Sequence, residues 1–395
     1  MLLQQASLDR HRFRLLSYYL SLVAVGLIVG TQGPALADLA RQTSTDLKGV
    51  SLILVMRPLG YLCGALACGR WLDKQPGHPV LATAALACAA LLALVPLAPK
   101  LGYLALIILG LGFAHSLLDV GSNILLAWVC GKRLGPYLSG MHFSFGVGAF
   151  VGPMLVAWSL AQHGNSSHAF WAVALLLLPL ALWFSLVPSP AHAPKDDAPP
   201  LDWDKGLAAL LVACFFLYGG TESGFGAWIY QFALARHVAD PASAAGVTSL
   251  FWGLLGLGRL AGIVVLPRLP AQRFLLILVP GAFLSVAALL FLPPSPTALW
   301  AASAGMGLCM ACIFPTLLVC AGQRLADGGR ISGKLTSLMF VGSSAGGMVL
   351  PWLMGQLFEP KGPRWALGLA LVALAGLMTI LGRIVTWKRN FASNV

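Results

Sequence analysis

Pro188-Ser-Pro-Ala-His-Ala-Pro-Lys195-Asp-Asp-Ala-Pro-Pro-Leu-Asp-Trp-Asp204-Lys205 is the one long stretch of this 395-residue chain that belongs in water. Its prolines cannot continue a helix and its charges resist burial, so it reads as a solvated linker. The chain on either side of it is apolar. Gly, Pro and charged residues cut each side into six runs long enough to cross a bilayer. The predicted spans are 15–39, 47–69, 79–98, 102–129, 136–161 and 168–188, then 206–235, 243–266, 273–293, 297–321, 332–357 and 364–386. The fold class that follows is an all-α membrane protein of twelve transmembrane helices in two pseudo-symmetric six-helix bundles. Residues 1–188 form the first bundle, 189–204 the linker and 205–395 the second.

Composition supports this division. The chain is 58% hydrophobic and 10% charged, against about 25% charged in a soluble domain. Twelve spans leave little chain for a fused enzyme, an ATPase module or a receptor head. The net charge of +12 is a matter of topology. One set of loops holds Arg10, Arg12, Arg14, Arg70, Lys74, Lys132, Arg133, Lys195, Lys205, Arg268, Arg273, Arg324, Arg330, Lys334, Arg383, Lys388 and Arg389. The other holds only Arg41, Lys48, Lys100, Arg236, Lys361 and Arg364, while Arg57 and Arg259 lie inside spans. A bias of 17 to 6 is the positive-inside signature and predicts both termini in the cytoplasm of an inner-membrane protein. Nucleic acid is not an expected partner. The basic residues 1–14, followed by an apolar run too long for a signal sequence, predict a retained first span. Cys309 and Cys312 form a CxxC without a second CxxC or a nearby His, so helix packing is the expected role rather than a metal site.

The halves echo each other. Arg57-Pro-Leu-Gly60 in span two has a counterpart in Arg259-Leu-Ala-Gly262 of span eight. Gly110-Leu-Gly112 lies seven residues before Asp119, and Gly305-Met-Gly307 seven before Phe314. Gly148 is five before Pro153, and Gly346 five before Pro351. These offsets predict an internal duplication, with a site at the interface of the halves.

The loop after span two reads Gly69-Arg-Trp-Leu-Asp73-Lys74-Gln-Pro-Gly77-His78. It resembles the signature loop of the major facilitator superfamily, with Pro76 and His78 departing from the usual tail. Leu118-Asp119-Val-Gly-Ser-Asn123, Ser144-Phe-Gly146 and Tyr218-Gly-Gly-Thr-Glu222-Ser-Gly-Phe-Gly-Ala-Trp228 are similar to the fucose-permease branch and its sodium-dependent glucose transporter-like relatives. The resemblance covers essentially the whole chain. It implies the major facilitator fold, alternating access, and a coupling role for a carboxylate at Asp119. The branch's second acid, in span one, has no match here. Gly30-Thr-Gln32-Gly33-Pro34 stands in its place, and the only acid nearby is Asp38. Glu222 is the candidate to take over that role.

Asp119 and Glu222 sit deep in apolar spans, where a charge is costly and by default marks an ion or substrate path. They are the expected proton-coupling residues. His115, Asp119 and Asn123 are spaced by four and fall on one helix face. Two readings stand for Asp119: a proton site beside a substrate-binding Asn123, or a structural ion pair with Arg57. Gly33-Pro34 and Gly219-Gly-Thr-Glu-Ser-Gly224 are expected to loosen their helices, and Gly33-Pro34 has a simple kink as its alternative. Substrate contacts are expected from Gln32, His115, Asn123, His142, Trp228 and Gln231, with a structural alternative for the lone His142. An interfacial aromatic belt is the alternative for the span-seven aromatics. In related carriers the signature loop latches the halves together. Gly69, Asp73 and Lys74 are therefore expected at the gate, with Arg57 and Arg259 as gating or pairing charges. Gly328-Gly-Arg-Ile-Ser-Gly333-Lys334 nearly spells a phosphate-binding loop, but Leu335 stands where Ser or Thr is needed and no strand precedes it.

No catalytic triad or metal-ligand cluster is legible, so the expectation is a carrier and not an enzyme, with no cofactor. It is read as a monomer taking up a small hydroxylated solute, foremost a monosaccharide, with H⁺. Three alternatives remain: Na⁺-coupled sugar uptake, proton-coupled export of drugs or amphiphilic metabolites, and a non-transporting membrane sensor or scaffold.

Overall fold

The computed structural model describes residues 2–131, 134–191, 204–265, 268–325 and 333–386. Most of the linker, the basic residues Lys132, Arg133, Lys195, Arg330, Lys388 and Arg389, and residues 328–332 of the glycine-rich decoy lie outside that set.

Thirteen α-helices follow in order, with no strand among the described residues. They are α1 (Leu2–Gln42), α2 (Leu47–Val50), α3 (Ile53–Leu72), α4 (Gly77–Leu94), α5 (Leu101–Cys130), α6 (Leu134–His163) and α7 (Ser167–Leu186). After the linker come α8 (Lys205–Ala235), α9 (Pro241–Val265), α10 (Ala271–Phe291), α11 (Pro296–Leu325), α12 (Gly333–Lys361) and α13 (Pro363–Thr386). Twelve are long and apolar enough to cross a membrane, which makes the chain a multi-pass membrane protein. All twelve expected spans are present.

The pairing of helices repeats between the halves. In the first half, α1 packs on α6, α3 on α5 and α4 on α7. In the second, α8 packs on α12, α9 on α11 and α10 on α13. Lipid is as apolar as leucine, so close approach of backbones has to supply the attraction. Two glycines named by the repeat provide it. A Cβ on Gly148 would collide with the Val23 carbonyl of α1, and one on Gly346 with the Phe216 carbonyl of α8. The third echo is displaced. Gly112 packs on the Arg57 carbonyl, but its counterpart Gly307 packs on Phe251, eight residues before Arg259. Arg57 and Arg259 therefore stand about two helical turns out of register, and the predicted match between them is corrected.

Contacts between the halves run through α6 with α9, α3 with α12 and α1 with α8. At the end away from the termini they form a hydrogen-bonded seal. The Leu47 N–H donates to Glu359 Oε1 (3.0 Å), and Gln356 Nε2 donates to the Lys48 carbonyl (3.2 Å) and to Ser51 Oγ (3.1 Å). Asp46 caps the short α2 by accepting from the Gly49 N–H (2.6 Å), which holds its carboxyl below the usual carboxylate range. At the opposite end the start of the linker is pinned. Arg14 donates to the carbonyls of Pro188 and Ser189. His78, the departure from the signature loop, is buried between Tyr18 Oη (2.8 Å) and the Val187 carbonyl (2.7 Å).

Candidate functional site

Polar side chains from both halves converge midway along the bundle. On α5, Asp119 Oδ2 accepts from Tyr61 of α3 (2.9 Å) and Oδ1 accepts from Asn123 Nδ2 (3.0 Å). Asn123 Nδ2 also donates to the Asp119 carbonyl (2.9 Å), so the amide holds the carboxylate in place. One turn from Tyr61, Arg57 Nε donates to Gln32 Oε1 of α1 (2.7 Å). In the second half Glu222 of α8 accepts from Tyr218 and lies 3.6 Å from Arg259 Nη2 of α9. Arg259 is also within electrostatic reach of Asp119 and His142 across the interface. Arg57, Tyr61, Asp119, Asn123, His142, Glu222 and Arg259 are half-buried rather than sealed, so they border open space between the helices.

Asp119 has two side-chain partners among the described residues. They are the neutral groups of Tyr61 and Asn123, and no described residue makes an ion pair with Arg57. Of the two readings of Asp119, the ion pair with Arg57 is not formed among the described residues. The pair that forms is Arg259 with Glu222.

A second group lies where α1, α3, α8, α9 and α12 meet. Gln32, Arg57, Ser223 and Trp252 line a cavity of about 30 Å³ there, together with Gly226 and Gly347. That is room for about two water molecules. Gln32 is 6% exposed, and its Nε2 has no hydrogen-bond partner.

Several expected site residues lie elsewhere. Trp228 is 1% exposed, donates from Nε1 to the Pro351 carbonyl (2.8 Å) and stacks on Phe358. Gln231 is buried and donates to the Gly33 carbonyl (3.2 Å), joining α8 to α1. Both join helices to one another, and neither lines the cavity. His115 is buried behind Tyr61, ring centroids 5.4 Å apart, with neither nitrogen hydrogen-bonded. A spacing of eight residues drifts about 80° around an α-helix. His115 and Asn123 thus leave the shared face in opposite directions.

The glycine-rich stretches also behave differently from expectation. Both α1 and α8 run unbroken through theirs. The glycines are filled by neighbours: Gly224 by Met354, Gly220 by the Gly346 carbonyl, and Gly33 by the Ala227 carbonyl. Close packing, not unwinding, explains them. Asp38 is structural. It pairs with Arg41 and accepts from the Ser166 N–H and Oγ, each at 2.6 Å. Gly69, Asp73 and Lys74 are exposed at the end of α3.

Tyr61 and Trp252 were missed in the sequence. Tyr61 stands four residues after Arg57, and Trp252 seven before Arg259, so each shares a helix face with a membrane arginine. That spacing was the available signal.

Residues 18–333 match the profile of the Major Facilitator Superfamily. The chain is 27% identical over 378 residues to sodium-dependent glucose transporter 1A of Mus musculus, covering 86% of this chain and 88% of that one. It is 29% identical to sodium-dependent glucose transporter 1 of Xenopus laevis, covering 84% and 73%. Among solved structures, a variant of nucleoside transporter NupG superposes with a TM-score of 0.77 at 15% identity, covering 95% of this chain and 99% of that one. A bacterial homologue of the human lysosomal transporter Spinster, inward-facing and occupied, gives 0.75 at 14% identity, covering 95% and 96%. At such identities the two structures speak for the fold alone.

Proposed function

The chain belongs to the Major Facilitator Superfamily, and from that premise we propose that it is a secondary carrier for a small hydroxylated solute of the monosaccharide class, taken up together with a proton. The solute would bind between the halves, which rock about it to expose it to each side in turn. The observation that carries the reading is the setting of Asp119. Its carboxylate is held by Tyr61 and Asn123, with no salt bridge among the described residues. It can gain and lose a proton without breaking an ion pair, and losing its charge removes a large cost of moving it through an apolar environment. Glu222 is tied to Arg259 and plays the secondary part. Trp252 lines the cavity between the halves and would contact the solute there.

The names of the glucose-transporting relatives support a sugar and also support Na⁺ as the coupling ion. Na⁺ is the second reading. The bias of basic loops supports a carrier in the inner membrane with both termini in the cytoplasm, and we read it as working as a monomer. Exposed Gly69, Asp73 and Lys74 would then gate its cytoplasmic end.

The test is uptake of labelled glucose and related sugars into liposomes holding the purified protein. It would be run with a pH gradient, a Na⁺ gradient or neither, and with Asp119→Asn. Accumulation driven by the pH gradient and lost in the variant supports proton coupling. Accumulation driven only by Na⁺ changes the ion. No sugar movement, alongside export of an amphiphilic cation, overturns the reading.

A further inference from the structure

The charges of the cleft do not cancel one by one. Arg259 and Glu222 neutralise each other. Asp119 is held by neutral donors. Arg57 is left as a guanidinium with no carboxylate paired to it among the described residues. An isolated charge this deep is expensive, and in a membrane carrier it needs a partner.

The groups around Arg57 are mostly donors. Its Nε is taken by Gln32 Oε1, which turns the amide so that Gln32 Nε2 is left unpartnered in a site 94% buried. An amide nitrogen only donates, and a guanidinium only donates. Ser223 lines the same cavity, and the remaining walls are glycine, proline, aliphatic groups and Trp252. No acidic side chain among the described residues lines it. The cavity of about 30 Å³ has room for two oxygen-sized groups. Paired donors around a space for two oxygens are the recognition pattern of a carboxylate.

We propose that Arg57 and Gln32 bind the carboxylate of a hydroxylated monocarboxylate of sugar size, so that the preferred solute is an acid sugar rather than a neutral one. The inference rests on the reading of this chain as a sugar-class carrier with Asp119 as its proton site. It also completes the charge count of that reading. With Asp119 protonated and Arg259 paired, the cleft carries one positive charge from Arg57. A monoanionic solute brings the loaded cleft to zero, which is the cheapest state to reorient through a low-dielectric environment. A neutral sugar would leave that charge uncompensated.

The probes are D-glucuronate and D-glucose, titrated calorimetrically into the full-length protein in lipid nanodiscs, with labelled uptake of each into liposomes. Wild type, Arg57→Gln and Arg57→Lys are compared. A charge-assisted pair should give glucuronate a preference of about ten- to hundredfold in Kd. Arg57→Gln should erase that ratio by weakening glucuronate far more than glucose, and Arg57→Lys should retain part of it. Glucose bound as tightly as glucuronate by wild type overturns the proposal and leaves sugar transport standing. A preference that survives Arg57→Gln overturns the assignment to Arg57. If neither compound binds or moves, the sugar-class reading fails and the proposal falls with it. Should Arg57→Gln not fold, the wild-type ratio and Arg57→Lys still decide.

Discussion

Gly33→Ala tests how the halves close. Gly33 lies on α1 against α8, and an added Cβ would sit 2.7 Å from the Ala227 carbonyl oxygen and 2.9 Å from that of Gly226. Ordinary contact begins near 3.4 Å, so the two helices must part by about 0.7 Å, and both obstacles are backbone, which cannot rotate away. Overpacking of this kind costs about 1–3 kcal/mol. The clash exists only while α1 and α8 touch, so the cost falls on the state described here and not on one in which the halves separate at that end. A cost of that size should enrich the separated state roughly 5- to 150-fold. Gly148→Ala is the control. Its clash with Val23 lies within one half, so it should lower thermal stability without favouring either state. The assay is pulsed dipolar spectroscopy on labels at Lys100→Cys and Lys361→Cys, in a background without the native cysteines. Gly33→Ala should add a long-distance population and Gly148→Ala should not. Unchanged distances in Gly33→Ala, with a stability loss like that of Gly148→Ala, would refute the reasoning.

Three further outcomes are expected. Trp228→Phe removes the hydrogen bond to Pro351 and should lower stability by about 1 kcal/mol with KM unchanged, whereas Trp252→Ala should raise KM. Melting curves and uptake kinetics on the two variants check this, and a raised KM in Trp228→Phe would contradict it. Arg259→Met leaves Glu222 without its cation, and adding Glu222→Gln should recover part of the lost stability. A thermal double-mutant cycle should give a coupling of roughly 0.5–3 kcal/mol, and zero coupling would remove the pair from the account. Asp46 is held below the usual carboxylate range by the Gly49 N–H. The stability it lends is therefore present above the ordinary aspartate pKa near 4 and lost as pH falls through the lower folded value. Label distances at the seal should thus not change between pH 8 and 5, and a change in that window lost in Asp46→Asn would contradict this.

The architecture was legible because hydrophobicity alone decides it. Twelve apolar runs, one proline-rich polar stretch and a lopsided distribution of Lys and Arg need no tertiary knowledge. Gly148 and Gly346 were legible as a repeat because backbone contact tolerates no side chain. Arg57 and Arg259 misled because sequence offset does not report depth, and the two stand about two turns apart along their helices. Asp119 and Glu222 were legible because carboxylates are rare in apolar helices. Their partners were not, since hydrogen bonds such as Tyr61 to Asp119 join residues 58 positions apart. The placing of Trp228 was not legible for a related reason. An aromatic beside a carboxylate in sequence points about 120° away from it six residues later, here into the α8–α12 contact.

The most direct test of the central claim separates coupling from binding at Asp119. Wild type and Asp119→Asn would be compared in liposomes for two processes: accumulation of sugar against its gradient driven by an imposed pH difference, and exchange of labelled for unlabelled sugar at equal concentrations. The account predicts that Asp119→Asn abolishes accumulation and keeps exchange, because asparagine mimics the protonated carboxyl that lets the loaded carrier reorient. Accumulation that persists in Asp119→Asn would contradict it.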